Sequence, residues 1–380
     1  MHRTTIGLLG FGTVGQALVS LIRESQPQIH VAKAVVRDVH RQRSVDVPMT
    51  TRPEDVLLNP SIDVVVDVMG GRDPARQWIK EALHANKDVV TANKEVLAYH
   101  GEELLAVARE SGRHLRYEAA VAGGVPVLDA LAHHLSVVPL ERIDGVLNGT
   151  CNFVLSAMEQ GIPYSRALAD AKRLGYAEAD PAADIEGDDT ARKILLLAQL
   201  GFHTTVPMAS VDTMGITEIT DHHLARLKSF HLGLRLVGTA ALNNGLLSLR
   251  VAPTVYRVPH PFLSLDGPDN VVRVVSSAGT FWFQGPGAGG YATATSIVSD
   301  ITRIIHRTIS VNNPNTERYP IHPAKRGPYV CFTHDTDRSL PLGLPGEIRR
   351  LGSYAIVSEG FAAEELDEYG LCQFLWGEEE

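Results

Sequence analysis

The chain is 380 residues long, 44% hydrophobic and 21% charged, and its 35 basic against 44 acidic residues leave a formal net charge of −9. That length holds two cores and a small third unit, and the acidic balance argues against nucleic acid or anionic membrane as a partner, since the nearest thing to a basic face is the short group Arg37, Arg41 and Arg43. No stretch reaches the roughly 20 apolar residues of a membrane span, the N-terminus carries no signal-peptide cleavage region, and the three separated cysteines fit a reducing compartment, so the expected location is the cytoplasm.

The first expected element is a strand over TTIGLL, residues 4–9, running into Gly10-Phe11-Gly12-Thr13-Val14-Gly15 and then a helical pattern in QALVSLIRES. GxGxxG between strand and helix is a dinucleotide signature. The first glycine permits a tight turn, the second lets backbone approach a pyrophosphate, and the third lets helix and strand pack closely, while the helix N-terminus offers N–H groups to the anion. The second strand, HVAKAVVR, ends at Arg37-Asp38, where such a fold reads the adenosine ribose. Asp38 suits a 2′-hydroxyl; Arg37, Arg41 and Arg43 suit a 2′-phosphate. The reading leans to NADP and leaves NAD, or a merely solvated arginine loop, open.

IDVVVDVMGG, PARQWIKEALHANK, DVVTANK and EVLAYHGEELLAVARESG then alternate strand with helix, the pattern of a parallel, doubly wound sheet. Ligands of such sheets sit at the carboxyl ends of the strands, which places Gly70-Gly71 and Thr91-Ala92-Asn93-Lys94 on the cofactor edge. Lys94 falls near the expected nicotinamide, although a lone lysine there is also compatible with plain surface. RYEAAVAGGVPVLDAL passes from strand through a glycine turn to a proline-led helix, so several carbonyls can converge with Glu118 in the oxygen-only shell a hard cation prefers. A glycine hinge with a salt-bridged Glu118 is the alternative.

Residues 127 to about 250 read as mainly helical. Within them GYAEADPAADIEGDDTARK, residues 175–193, sets six carboxylates between Glu178 and Asp189 ahead of Lys193 and a buried apolar run. Asp189 and Lys193 share a helix face, an arrangement suited to binding an amino group and moving a proton; the bland alternative is a helix cap, an i,i+4 pair and a solvated loop. Strand-like GLLSLRVAPTVY, NVVRVVSS and GTFWFQGPG follow, and GPGAGGYATATSIVSDITRII opens a helix at a glycine turn. PYVCFTHDT, LPGEIRRL and YAIVSEGF read as strand, helix and strand.

The glycine loop, TANK, YEAAVAGGVP, NGTCNF, the acidic segment and GPGAG together resemble the homoserine dehydrogenase family over about residues 4–325. The resemblance implies NAD(P)-dependent interconversion of L-homoserine and L-aspartate 4-semialdehyde, in the pathway to threonine, methionine and isoleucine. It makes Lys193 the proton donor, Lys94 its companion at the reacting oxygen, and Glu178, Asp184 and Asp189 the substrate carboxylates. Gly10 to Gly15 (Gly10, Phe11, Gly12, Thr13, Val14, Gly15), Arg37, Thr91, Lys94, Gly175 and Gly287 would line the cofactor. A monovalent cation, sodium or potassium, would lie on Glu118 and the Val121, Gly123 and Val125 segment. The implied fold is α/β: a Rossmann-type doubly wound sheet from residues 1–126 and 287–325, an α+β substrate and dimerisation domain at 127–286, and a short extension at 329–380, at most a truncated ACT-like unit, in a homodimer or higher homo-oligomer. Two other functions are weighed: an acylating semialdehyde dehydrogenase using Cys151, and a non-catalytic NAD(P) sensor.

Overall fold

The structure is a computed structural model that describes residues 3–265, 267–306, 319–321, 329–333, 348–351, 354–357 and 371–377. By its contacts the chain forms two compact units, Met1–Leu140 with Leu195–Met208 and Ser276–Arg318, and Glu141–Ile194 with Ala209–Val275 and Tyr319–Glu380.

The first unit is built on β1 (Thr4–Leu9), β2 (Ile29–Val35), β3 (Met49–Thr50), β4 (Val64–Asp67), β5 (Asp88–Thr91) and β6 (Leu115–Arg116), all parallel, in the order β3-β2-β1-β4-β5-β6. This is the doubly wound sheet expected from the alternation of strands and helices. Val64, Val65, Val66 and Asp67 are all buried, as a strand covered on both faces requires. The order reverses between β1 and β4, so a crevice opens at their carboxyl ends, where Leu9 pairs with Asp67. Helix Thr13–Ser25 packs on helix Gly290–Ile305, which comes from late in the chain; a Cβ on Gly290 would lie 3.1 Å from that of Ala17. Ile297 and Ile301 are fully buried beside Leu18 and Ile22, and each such side chain contributes about 2 kcal/mol through burial.

The second unit carries a mixed sheet. Its strands are β7 (Leu140–Val146), β8 (Val211–Thr213), β9 (Leu232–Asn243), β10 (Leu246–Arg257) and β11 (Asp269–Ser276); after β12 (Gly279–Pro286) in the chain come β13 (Tyr329–Thr333), β14 (Ile348–Leu351), β15 (Tyr354–Val357) and β16 (Leu371–Trp376). The order runs β11-β7-β9-β10-β16-β13-β15-β14, with β8 parallel to β10. β9 and β10 form a long hairpin closed by Asn244-Gly245, both at positive φ, the pairing a two-residue turn of this kind favours.

One sequence expectation is extended and another overturned. The stretch 127–250 carries more helix than strand, as expected, but it also holds β7, β8, β9 and the start of β10. β9 is buried along nearly its whole length, so LGLRLVGTAALN has no alternation to read. IRRL of the expected C-terminal helix is β14, paired antiparallel with YAIV of β15. Among the described residues no helix is long and apolar enough to cross a membrane.

Candidate active site

The glycine loop occupies the β1 carboxyl end. Gly10 has φ +97°, and a Cβ there would meet the Val68 carbonyl oxygen at 3.1 Å; a Cβ on Gly15 would meet the Phe11 ring at 3.1 Å. Both positions are closed by packing, whereas nothing lies within 4 Å of a Cβ built on Gly12. Gly12 is exposed and caps helix Thr13–Ser25 without a side-chain bond, so the helix end is presented as bare backbone, which fits a pyrophosphate. Thr13 is exposed and Val14 half-buried; Phe11 is buried, its ring in the core. Its carbonyl accepts from Arg43 Nε at 3.1 Å, while Arg43 also donates to the Asp38 and Arg41 carbonyls. Arg43 therefore braces the loop, and Arg37 and Arg41 stand exposed beyond β2. One Asp38 oxygen is engaged by the His40 N–H at 2.8 Å.

At the ends of β4 and β5 the sequence reading named Thr91 and Lys94 and missed Asp67. Thr91 Oγ1 donates to Asp67 Oδ2 at 2.9 Å, Met69 N–H donates to Asp67 Oδ1 at 3.0 Å, and Asn93 N–H donates to Thr91 Oγ1 at 3.0 Å. Burial raises the Asp67 carboxyl to about 6, with its hydrogen bonds opposing the shift. Asn93 caps helix Lys94–Glu110 through Val96 N–H and donates to the Gly71 carbonyl at 2.7 Å. Lys94, half-buried, begins that helix.

The Glu118 turn is folded by Ala122 and Gly123, both left-handed at φ +54° and +56°. Glu118 Oε1 accepts from Leu128 N–H at 3.1 Å, Asp300 Oδ2 accepts from Glu118 N–H at 2.8 Å, and Ser296 Oγ donates to the Gly123 carbonyl at 2.7 Å. Burial, then the neighbouring Asp300 and Asp129 charges, push Glu118 up to about 8; burial pushes Asp300 up to about 7. Acidic groups held this far from their ordinary range favour a positive neighbour. A cavity of about 40 Å³ adjoins them, lined among others by Arg116, Asp129 and His133. A Cβ on Gly123 would lie 2.6 Å from the Gly287 carbonyl oxygen, so this turn touches the GPGAG backbone. Val121 and Val125 are buried in the same turn.

In the second unit the acidic segment folds onto NGTCNF. Asp189 opens helix Asp188–Gly201 and pairs with Lys193 one turn later, Nζ to Oδ2 2.8 Å, and Lys193 Nζ also donates to the Leu147 carbonyl at 2.5 Å. Both side chains are buried, Asp189 at 7% and Lys193 at 11% exposure. Asn148 Nδ2 donates to Asp184 Oδ1 at 2.7 Å and to Asp189 Oδ2 at 2.9 Å, and the Thr150 hydroxyl lies 3.0 Å from Asp184 Oδ2. Asp184, Asp189 and Lys193 are thus brought together. Glu178 and Gly175 stand exposed on the preceding loop, outside this bonded group. Asn148 was missed, although an asparagine opening a helical run is a recognisable cap signal. Cys151 is buried, donates to the Asp184 carbonyl at 3.1 Å, and has its thiol held well above the usual range by burial and by the Asp184 and Asp189 charges. A buried thiol already bonded to a backbone carbonyl is poorly placed to attack a substrate, which counts against the acylating alternative.

The sequence model of the family described as homoserine dehydrogenase matches residues 126–302, and that of its NAD-binding domain matches residues 10–118. Homoserine dehydrogenase of Bacillus subtilis is 39% identical over 318 residues, 80% of this chain and 73% of the relative. The crystal structure of a homoserine dehydrogenase from Thiobacillus denitrificans superposes with a TM-score of 0.88 at 30% identity, covering 98% of both chains. A hyperthermophilic archaeal homoserine dehydrogenase solved in complex with NADPH gives a TM-score of 0.71 at 25% identity, covering 81% of this chain and 99% of that one.

Proposed function

The chain belongs to the homoserine dehydrogenase family, and from that premise we propose which of its residues carry the reaction. The activity is NAD(P)-dependent interconversion of L-homoserine and L-aspartate 4-semialdehyde, a step of the aspartate-derived amino-acid pathway. Bound coenzyme supplies the hydride in one direction and accepts it in the other. Hydride arriving at the aldehyde carbon leaves negative charge on oxygen; the Lys193 ammonium stabilises that charge and gives its proton there, and Lys94 is the second ammonium acting on the same oxygen. Glu178, Asp184 and Asp189 bind the substrate ammonium, and a substrate without that group would leave desolvated carboxylates unpaired. The observation that carries this reading is the buried Asp189–Lys193 pair held against Asp184 by Asn148.

The proposed coenzyme residues are Gly10 to Gly15, Arg37, Thr91, Lys94, Gly175 and Gly287, with NADP preferred over NAD. The exposed Arg37 and Arg41 and the NADPH bound by the archaeal relative support that preference. Glu118 with Val121, Gly123 and Val125 would hold a monovalent cation, for which the buried carboxyl groups of Glu118 and Asp300 beside that turn are the support. In this reading the first unit binds coenzyme, the second binds substrate and pairs subunits, and the enzyme works in the cytoplasm as a homo-oligomer. Initial rates of NADPH and NADH oxidation with aspartate semialdehyde, with and without sodium or potassium salts, test these points together. Faster turnover with NADPH and stimulation by a monovalent cation are expected; NADH preference, or rates indifferent to both salts, would remove the corresponding assignment.

A further inference from the structure

NGTCNF supplies no group to the reaction as described so far, yet its first residue touches more of the charged cluster than any other side chain described here. The Asn148 amide uses every polar function it has. Both N–H groups go to carboxylates, Asp184 Oδ1 at 2.7 Å and Asp189 Oδ2 at 2.9 Å, and Oδ1 accepts from Cys151 N–H at 2.8 Å. The orientation of the amide is therefore determined: turned over, it would set its oxygen against two carboxylates and its NH₂ against an N–H donor. Asp189 Oδ2 is also the oxygen paired with Lys193 Nζ, and Lys193 donates to the carbonyl of Leu147, the residue before Asn148. Two adjacent residues thus hold both partners of the ion pair, one through its backbone and one through its side chain.

We propose that Asn148 is a positioning residue of the reaction, its amide clasping Asp184 to Asp189 so that the Asp189–Lys193 pair presents the ammonium in one place. This rests on the assignment of Lys193 as proton donor. The physical need is plain. Asp184 and Asp189 both lie within a hydrogen bond of one nitrogen, so their oxygens can be no farther apart than those two bonds laid end to end, and two carboxylates that close repel unless a donor stands between them. Lys193 pairs with Asp189, and the amide is the neutral donor that serves both carboxylates without adding charge. Without it Asp184 would move away or Lys193 would be drawn towards it, and a misplaced proton donor costs turnover.

Asn148 also caps helix Gly149–Glu159, so the test must keep the cap and remove only the clasp. Asn148→Ser and Asn148→Asp both leave an oxygen that can cap; neither can donate to two carboxylates at once. The serine variant should fold with only a modest drop in thermal midpoint, and the aspartate variant, which sets a third carboxylate against Asp184 and Asp189, should lose more. Asn148→Ser should lose at least tenfold in kcat with little change in NADPH affinity. Asn148→Asp should lose more and move the pH limb of kcat to higher pH by about one unit, since a third carboxylate beside Asp184, Asp189 and Lys193 holds the lysine proton more tightly. A cap-only role would leave kcat, KM and the pH profile of both variants at wild-type values, and that result overturns the proposal. Should the aspartate variant not fold, the serine variant decides alone. Lys193→Ala measured in parallel separates the two levels: if it loses turnover while both Asn148 variants keep theirs, only the clasp falls; if it keeps turnover, the proton-donor assignment falls and takes the clasp with it.

Discussion

Gly123→Ala is the substitution whose cost the structure fixes most closely. Gly123 has φ +56°, and a Cβ would sit 2.6 Å from the Gly287 carbonyl oxygen and 2.7 Å from its carbon. Left-handed backbone costs an L-residue about 1–2 kcal/mol. The clash is with backbone, which cannot swing aside as a side chain would, and overpacking of this kind adds about 1–3 kcal/mol. The total is about 2–5 kcal/mol. Gly112→Ala isolates the second part, because Gly112 has φ +62° in the same unit with nothing within 4 Å of its Cβ; it should cost only the backbone portion. Urea unfolding followed by circular dichroism should show Gly123→Ala destabilised beyond Gly112→Ala by about 1–3 kcal/mol. NADPH affinity should also weaken in Gly123→Ala alone, since the loop between β12 and helix Gly290–Ile305 that must yield carries Gly287. Equal midpoints for the two variants would refute the close approach of this turn to GPGAG.

Three further outcomes are expected. Asp67, buried and raised to about 6 from an ordinary 3.8, holds its proton more tightly in the native state, so its contribution to stability is complete below pH 3.8 and lost as pH rises through 6, amounting to at most about 3 kcal/mol. Asp67→Asn, which cannot ionise, should accordingly compare better with wild type in urea midpoint at pH 8 than at pH 4.5; a difference independent of pH would contradict the shift. Cys151→Ser should keep kcat within about twofold, because a hydroxyl can make the same bond to the Asp184 carbonyl, and a loss of 100-fold or more would restore the thiol as a nucleophile. Glu178→Gln should raise KM for the semialdehyde about tenfold with kcat nearly unchanged, the pattern of lost substrate binding; steady-state kinetics showing the reverse split would reassign Glu178.

What could be read from the chain follows from where the signal resides. VVVD and DVVT announced buried parallel strands because both faces of the sheet are covered, and the glycine loop announced itself because its three glycines answer to a turn, an open approach and a close packing contact in one short segment. Asp189 and Lys193 were legible because one helical turn separates them. The groups missed draw their partners from far along the chain. Asn148 meets carboxylates 36 and 41 residues away, and Asp300 meets the Glu118 N–H across 182 residues, distances at which no local spacing is informative. Asp67 was hidden by its place at the end of an apolar strand, where an acid looks like the first residue of a loop; only its burial beside Thr91 marks it. IRRL misled because its length and charge suit a helix, and its strand pairing with YAIV comes from a neighbour and not from its own pattern.

In the proposed reaction Lys193 delivers the proton. Pre-steady-state and steady-state turnover of Lys193→Ala, alongside NADPH binding by fluorescence titration, addresses it directly. A fall in kcat of about 10²–10⁴ with coenzyme affinity within twofold of wild type is the predicted result; a variant that turns over at the wild-type rate would contradict it.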